Sequence, residues 1–167
     1  MRSLTTADLA TLEASSAVPF ELALGSGTWC CVRILRVLPG RRVVLQASQG
    51  GGATDDGARS GERLLKLFLG SGSRRYRERE QRGLEWLKES GLPVPSILEK
   101  IDEAGLSGLV IEYLPGAAVT EPEDQETVEQ AAALLGRMHE AGLWQVDLHL
   151  KNFVRSDAGL FAVDGDG

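Results

Sequence analysis

The sequence predicts an α+β protein, with a small antiparallel sheet in its first part and helical structure beginning in its last. Three observations support this. Two β-branched runs flank Pro39-Gly40, the charged stretch RRYREREQRGLEWLKES has the apolar period of a helix, and a second amphipathic stretch precedes the polar segment QVDLHLKNFVRSDAGLFAVDGDG. At 167 residues the chain can form one domain or two small lobes. A chain of this size buries roughly 68–70% of its unfolded surface. The 43% hydrophobic and 25% charged residues are those of a soluble globular protein. A formal net charge of −6 argues against a nucleic-acid partner, which would require a basic face, while leaving room for a local basic patch.

Residues 1–28 read as an N-terminal arm. Ser3, Thr5 and Thr6 are caps for a brief helix through Leu12, and Gly25-Ser26-Gly27 reads as a turn. From Trp29, WCCVRILRVL and RRVVLQA on either side of Pro39-Gly40 predict a hairpin. The segment SQGGGATDDGARSG reads as a flexible loop, and RLLKLFLG over 63–69 as a third strand. A helix over 74–90 ends at Gly91, and Pro93 and Pro95 prevent its continuation. Strands follow over 97–101 and 107–113, joined by a turn near Gly105 and ended by Pro115-Gly116. A helix over 124–141 places Val128, Ala131, Leu135 and Met138 at helical spacing, and Gly142 closes it. Short strands around a polar loop complete the chain. The natural boundary between two lobes lies near 114–119, giving 1–28 as arm, 29–114 as first lobe, and 115–167 as linker and start of the second.

The cysteines, Cys30 and Cys31, are adjacent. Neighbouring α-carbons sit about 3.8 Å apart, too close for an ordinary disulfide, and no metal spacing is present. They read as small buried residues of a strand in a reducing compartment. The N-terminal stretch lacks the apolar core of a signal peptide, and no run approaches the roughly 20 apolar residues of a membrane span. The sequence therefore points to the cytosol, with peripheral association at the inner face of the membrane left open.

Lys66 lies between Leu64-Leu65 and Leu67-Phe68. In a strand it shares a face with Leu64 and Phe68, so its ammonium must snorkel or find a counter-charge. Taken alone it also fits an edge-strand lysine that discourages aggregation. In the following helix Tyr76, Glu80, Leu84 and Leu87 fall on one face, and Glu78 is turned roughly 200° from Glu80. Glu80 is thus the acid on the apolar stripe, whereas Glu78 and Glu85 read as solvated. Such an acid needs a partner: Lys66 from the preceding strand, or Arg77 or Arg79 at the surface.

The last segment concentrates oxygen ligands. Asp147, Asn152 and Asp164 carry carboxylate and amide oxygens at the ends of apolar runs. Phosphoryl transfer needs a carboxylate to accept or orient a hydroxyl proton, oxygen ligands for magnesium, and a cation on the nucleotide phosphates. Those three residues and Lys66 supply that chemistry, with Glu80 holding the lysine.

The ordered set LLKLF, RERE, IEYLPG, DLHLKN and AVDGDG resembles the protein-kinase-like superfamily. More closely it resembles the bacterial lipopolysaccharide core kinases that phosphorylate heptose or Kdo sugars. GLPVPSIL and MHEAGLWQVDLHLKNFV are similar to that family and to the aminoglycoside phosphotransferases. The resemblance covers about 29–167. It implies a protein-kinase-like fold with a small antiparallel-sheet N-lobe and the beginning of a helical C-lobe, ATP and Mg2+ as cofactors, and a sugar or lipid-linked sugar as acceptor. Carried over by position, Asp147 is the catalytic base, Asn152 and Asp164 the metal ligands, and Lys66 the contact to the α- and β-phosphates. Pro39 and Gly40 form the nucleotide-covering turn, and Glu112, Tyr113 and Leu114 the hinge that holds adenine.

Some positions depart from the family pattern. The covering turn Leu38-Pro39-Gly40-Arg41-Arg42 is not Gly-rich, although its arginines can assist with phosphate. Gln145 stands where histidine is common. Asp166 repeats the acid at Asp164, which is preferred because it directly follows the apolar strand. His149 reads as a structural hydrogen-bonding residue and His139 as a helix C-terminal contact. Family members continue past the acidic loop with further helices. The resemblance therefore implies a truncated frame, a fragment, or a chain whose exposed C-lobe surface is covered by a partner. Two alternatives to the sugar kinase stand beside it: a nucleotide-binding pseudokinase, and a phosphotransferase for an aminoglycoside or other small molecule.

Overall fold

The structure is a computed structural model that describes residues 1–25, 27–50, 61–119, 125–142, 144 and 149–164. Asp147, Gln145, Asp166 and Ser26 lie outside the described residues, as does most of the loop expected before the third strand. The chain divides into two compact units. Met1–Arg77 and Ile97–Tyr113 form the first, Glu78–Ser96 and Leu114–Gly167 the second. The fold is α+β and protein-kinase-like, with a sheet N-lobe and the beginning of a helical C-lobe.

The first unit is built on a seven-stranded sheet. Its strands are β1 (Arg2–Leu4), β2 (Phe20–Leu24), β3 (Gly27–Leu38), β4 (Arg42–Gln49), β5 (Glu62–Leu69), β6 (Ile97–Glu103) and β7 (Leu106–Glu112). They are ordered β1-β2-β3-β4-β5-β7-β6. Every neighbouring pair is antiparallel except β1 with β2, which are parallel, so the sheet is mixed. The expected hairpin is β3–β4. Its turn has Pro39 then Gly40 at φ 66°, closed by the Arg41 amide donating to the Leu38 carbonyl at 3.0 Å; this is the residue pattern of a type II turn. β1 and β2 were not expected. Phe20, Leu22 and Leu24 alternate inward, but over five residues the pattern is too short to stand out in the sequence. Only the one-turn 3-10 helix Asp8–Thr11 forms where a brief helix was expected.

One face of this sheet closes an apolar core from Phe20, Leu22, Trp29, Cys31, Val43, Leu45, Leu65 and Leu67 with Leu9 and Leu12 laid against them. Both strands β4 and β5 are also buried on their other face, which includes Arg42, Val44, Gln46, Lys66 and Phe68. Lys66 is therefore not on an edge: β5 pairs with β4 on one side and β7 on the other.

Helix α1 (Ser73–Glu89) leaves β5 and ends in a Schellman motif. The Gly91 amide donates to Lys88 at 2.9 Å and the Leu92 amide to Leu87 at 3.0 Å, with Gly91 at φ 72°. The second unit holds β8 (Gly116–Ala118), helix α2 (Gln125–Glu140), β9 (Phe153–Ser156) and β10 (Gly159–Ala162); its three strands are ordered β10-β9-β8. Gly116 is required there, because a Cβ would run into the Arg155 backbone carbonyl of the paired strand. The buried face of α2 is Thr127, Ala131, Leu134 and Met138. It is rotated from the expected stripe, leaving Val128 49% exposed and Leu135 partly buried. Phe153, Leu160 and Ala162 pack with that face and with Leu87 and Leu92. No helix among the described residues is long and apolar enough to cross a membrane.

Two outcomes follow. Leu67→Ala removes a fully buried side chain from the sheet core and should cost about 2–5 kcal/mol in urea unfolding, against less than about 0.5 kcal/mol for Val32→Ser on an exposed site. Burial, with a smaller push from Cys30, raises the Cys31 thiol to about 12. Cys31 should therefore resist iodoacetamide at pH 8 in the native protein and react after denaturation, as read by peptide mass.

Candidate active site

In the first unit, the register of β5 sets the position of Lys66. Its cross-strand partners are Val44 and Leu109, and its side chain shares a face with Leu64 and Phe68. Val44 and Leu109 are themselves buried, and Lys66 is 6% exposed. An ammonium in such surroundings costs several kcal/mol unless anions compensate it. The Pro39-Gly40 turn lies at the end of the same β4 strand, exposed at the tip of its hairpin.

The first turns of α1 are tied to this face by polar contacts. The Ser73 and Ser107 hydroxyls are 3.4 Å apart, and Ser107 Oγ donates to Asp102 Oδ1 at 3.1 Å. Arg77 reaches Asp102 Oδ2 at 3.5 Å, and Tyr76 stacks on Phe68 with ring centroids 6.4 Å apart. Gly108 allows a close approach here: a Cβ would meet Leu67 Cδ2 at 2.7 Å and the Lys66 carbonyl oxygen at 3.0 Å.

The helix continues into the second unit with Glu80, which is completely buried. The buried stripe of α1 is Ser73, Arg77, Glu80, Leu84 and Leu87, with Tyr76 40% exposed. Glu80, Leu84 and Leu87 thus lie on the expected face and Tyr76 does not, because the stripe curves toward Arg77. Sequence reasoning left Arg77 as a surface partner for Glu80, whereas it is buried and paired with Asp102. Its spacing of four from Ser73 and three from Glu80 was the available signal.

In the second unit the backbones of Asn152 and Asp164 lie at the same end of one hairpin. Asn152 ends a 3-10 helix, Leu150–Asn152, whose preceding residue His149 is exposed and accepts the Asn152 amide at 2.9 Å. β9 and β10 then pair with Phe153 opposite Ala162, and the Val163 amide donates to the Asn152 carbonyl at 2.9 Å. Asp164 is therefore one residue from the cross-strand partner of Asn152. Both are half-buried at the same end of a hairpin held down by Phe153 and Ala162, each 1% exposed. An amide and a carboxylate oxygen suit a hard cation such as Mg2+, which takes one or two carboxylates and completes its shell with water and phosphate. Among the described residues no three His, Cys, Asp or Glu side chains cluster as a metal cage.

Glu112 closes β7 opposite Arg63, and Tyr113 and Leu114 follow it half-buried. His139, expected as a helix C-terminal contact, stacks on the exposed Trp144 with centroids 4.6 Å apart.

Compared with protein families, residues 53–158 match the phosphotransferase enzyme family, APH. The chain belongs to the phosphotransferase enzyme family. The match spans Lys66, Glu80, Asp147 and Asn152, and stops short of Asp164. Comparison with curated proteins gives no match. Membership implies a kinase-type phosphotransferase fold and, in general, use of a nucleotide and a metal.

The crowding at Gly108 gives a test of how tightly Lys66 is held. Gly108→Ala must displace Leu67 or the Lys66 carbonyl, costing about 1–3 kcal/mol. The expected result is a lowered urea midpoint together with weakened nucleotide binding, whereas Gly136→Ala, exposed in the interior of α2, should raise the midpoint by about 0.5–1 kcal/mol of stability and leave binding unchanged.

Proposed function

We propose that this chain transfers the γ-phosphoryl group of ATP to a hydroxyl of a sugar, in the cytosol. The observation that supports it most is the place of Asn152 and Asp164 in the backbone at one end of the β9–β10 hairpin, in a chain of a phosphotransferase family. Lys66 binds the nucleotide phosphates, and Glu80 is the acid that orients its ammonium. Pro39 and Gly40 cover the nucleotide, and the backbone of Glu112, Tyr113 and Leu114 holds adenine. Mg2+ held by Asn152 and Asp164 would neutralise charge on the transferring phosphate. Asp147 takes the proton of the acceptor hydroxyl as its oxygen bonds to the γ-phosphorus and the bond to the bridging oxygen breaks, releasing ADP.

The acceptor we propose is a heptose or Kdo hydroxyl of the lipopolysaccharide core. It is supported by the resemblance carried in GLPVPSIL and MHEAGLWQVDLHLKNFV. A lipid-linked acceptor would bring the protein to the inner face of the membrane, and a partner chain could cover the C-lobe. A second acceptor class, an aminoglycoside or similar small polyhydroxylated molecule, is supported by the same resemblance.

ADP release should be measured with Mg-ATP against a panel of core oligosaccharides and aminoglycosides, for the wild type and Asp147→Asn. Asp147→Asn should lose about 10²–10⁴-fold in kcat with ATP binding kept, and chelation by EDTA should stop turnover of the wild type. Equal turnover in both proteins would remove Asp147 as base. A wild type that binds Mg-ATP and transfers nothing to any acceptor would leave a nucleotide-binding module instead.

A further inference from the structure

The backbone that leads into Asp164 is clamped from both sides. β10 is the outer strand of the order β10-β9-β8. In an antiparallel ladder successive N–H groups point to opposite sides of their strand. The Val163 amide points inward and donates to the Asn152 carbonyl at 2.9 Å. The Ala162 amide, one residue earlier, points the other way and donates to the Pro93 carbonyl at 2.9 Å. Two successive amides before Asp164 are thus held by different segments of the second unit.

Pro93 belongs to the stretch GLPVP that follows α1. Its composition makes it stiff. Pro93 and Pro95 each fix their own φ and bias the residue before them to extended backbone. Leu92 is buried, and Val94 packs on the core that holds Phe153, Leu160 and Ala162. The Schellman motif at the end of α1 sets where the stretch begins and turns the chain at Gly91. That motif uses the Gly91 amide, and the Gly91 carbonyl needs a partner of its own. Arg137, in the last turn of α2, supplies it: its Nη2–H donates to the Gly91 carbonyl. A Cβ at Gly91 would lie 3.7 Å from the same nitrogen, so the guanidinium rests against the turn itself. Leu134 and Met138, which flank Arg137 in α2, are buried in the core, so the arginine projects from a fixed helix. Its charge strengthens the bond and suits the negative pole at the C-terminal end of α1.

We infer that Arg137 is a positioning residue for Asp164, acting through a relay of backbone. The guanidinium holds the Gly91 carbonyl. The stiff segment 91–93 carries that fixed point to the Pro93 carbonyl, and Pro93 holds Ala162, two residues before Asp164. This rests on the reading of Asn152 and Asp164 as metal ligands and gives the GLPVP stretch a part in it. The relay matters because Mg2+ demands near-ideal octahedral geometry of its ligands.

Two measurements on the full chain test it, in the wild type, Arg137→Met, Arg137→Lys, Asp164→Asn and Leu22→Ala. Leu22 is fully buried in the core of the first unit, so its variant controls for loss of stability alone. Hydrogen exchange of the Ala162 amide, followed by NMR, reads the relay directly. Mn2+ titration in the presence of ADP, followed by water-proton relaxation, reads the metal site. Arg137→Met should speed Ala162 exchange roughly threefold to tenfold. It should weaken Mn2+ about threefold to tenfold, below the roughly 10–100-fold of a ligand's direct hydrogen-bond partner. Arg137→Lys still carries a donor for the carbonyl and should recover most of both losses. Leu22→Ala should lower the urea midpoint with Mn2+ affinity kept. If Asp164→Asn releases Mn2+ while Arg137→Met holds it as tightly as the wild type, the inference is overturned and the metal reading stands. Unchanged Ala162 exchange in Arg137→Met would break the relay and overturn the inference too. Mn2+ held equally by the wild type and Asp164→Asn, or bound by neither, would remove the metal reading and this inference with it.

Discussion

Strand β5 must be buried on both faces and still keep a charge in its middle. Leu65, Leu67 and Leu69 close the sheet core on one side. Lys66 stands on the other, between buried Val44 and Leu109 on the flanking strands. Central position is what makes the lysine informative. On an edge an ammonium turns outward to water at little cost; between two strands it is held where desolvation costs several kcal/mol without anions nearby. A site selected only for stability would carry an apolar residue here. The proposed contact of Lys66 to the nucleotide phosphates would meet its anion at this fixed point.

Rigidity around that lysine comes from a polar seam rather than from more apolar packing. Ser73, Ser107, Asp102 and Arg77 link the first turns of α1 to β6 and β7. Gly108 lets β7 lie close against the Lys66 carbonyl. Farther along α1 the buried stripe becomes Glu80, Leu84 and Leu87, and the Schellman motif at Gly91 carries Leu92 into the second core. A buried polar network is costly when half-satisfied and fixes geometry when complete.

Much of this was legible in the sequence where a local rule has one outcome. Pro39-Gly40 between β-branched runs gave a hairpin, Gly91 ahead of Pro93 ended α1, and the place of Glu80 among Leu84 and Leu87 foretold its burial. Other features depended on long-range packing. β1 and β2 are too short for periodicity to reveal, and β1 pairs in parallel with its neighbour. The face of α2 turned toward Thr127 because two readings of its apolar residues, through Val128 or through Leu134, differ by only about 100° of rotation. The face of β3 was hidden for a different reason: its register with β4 shifts between Cys31 and Arg33 and between Ile34 and Arg36, so simple alternation does not assign it.

The proposed metal ligands show how structure extends a family likeness. The match ends at residue 158 and includes Asn152 but not Asp164. Composition cannot choose between Asp164 and the neighbouring acids, since all are the same group in one short run. The β9–β10 ladder gives Asp164 a place: the Val163 amide bonds to the Asn152 carbonyl, so the residue after Val163 is carried to the end of the hairpin where Asn152 sits. Phe153 and Ala162, directly opposite one another and buried against the Ala131, Leu134 and Met138 face of α2, fix that end. Ligands for a small octahedral cation have to be placed to a fraction of an ångström. A hairpin end anchored in a core meets that demand better than a free loop does, and it gives Asp164 its place beside Asn152 independently of the family comparison.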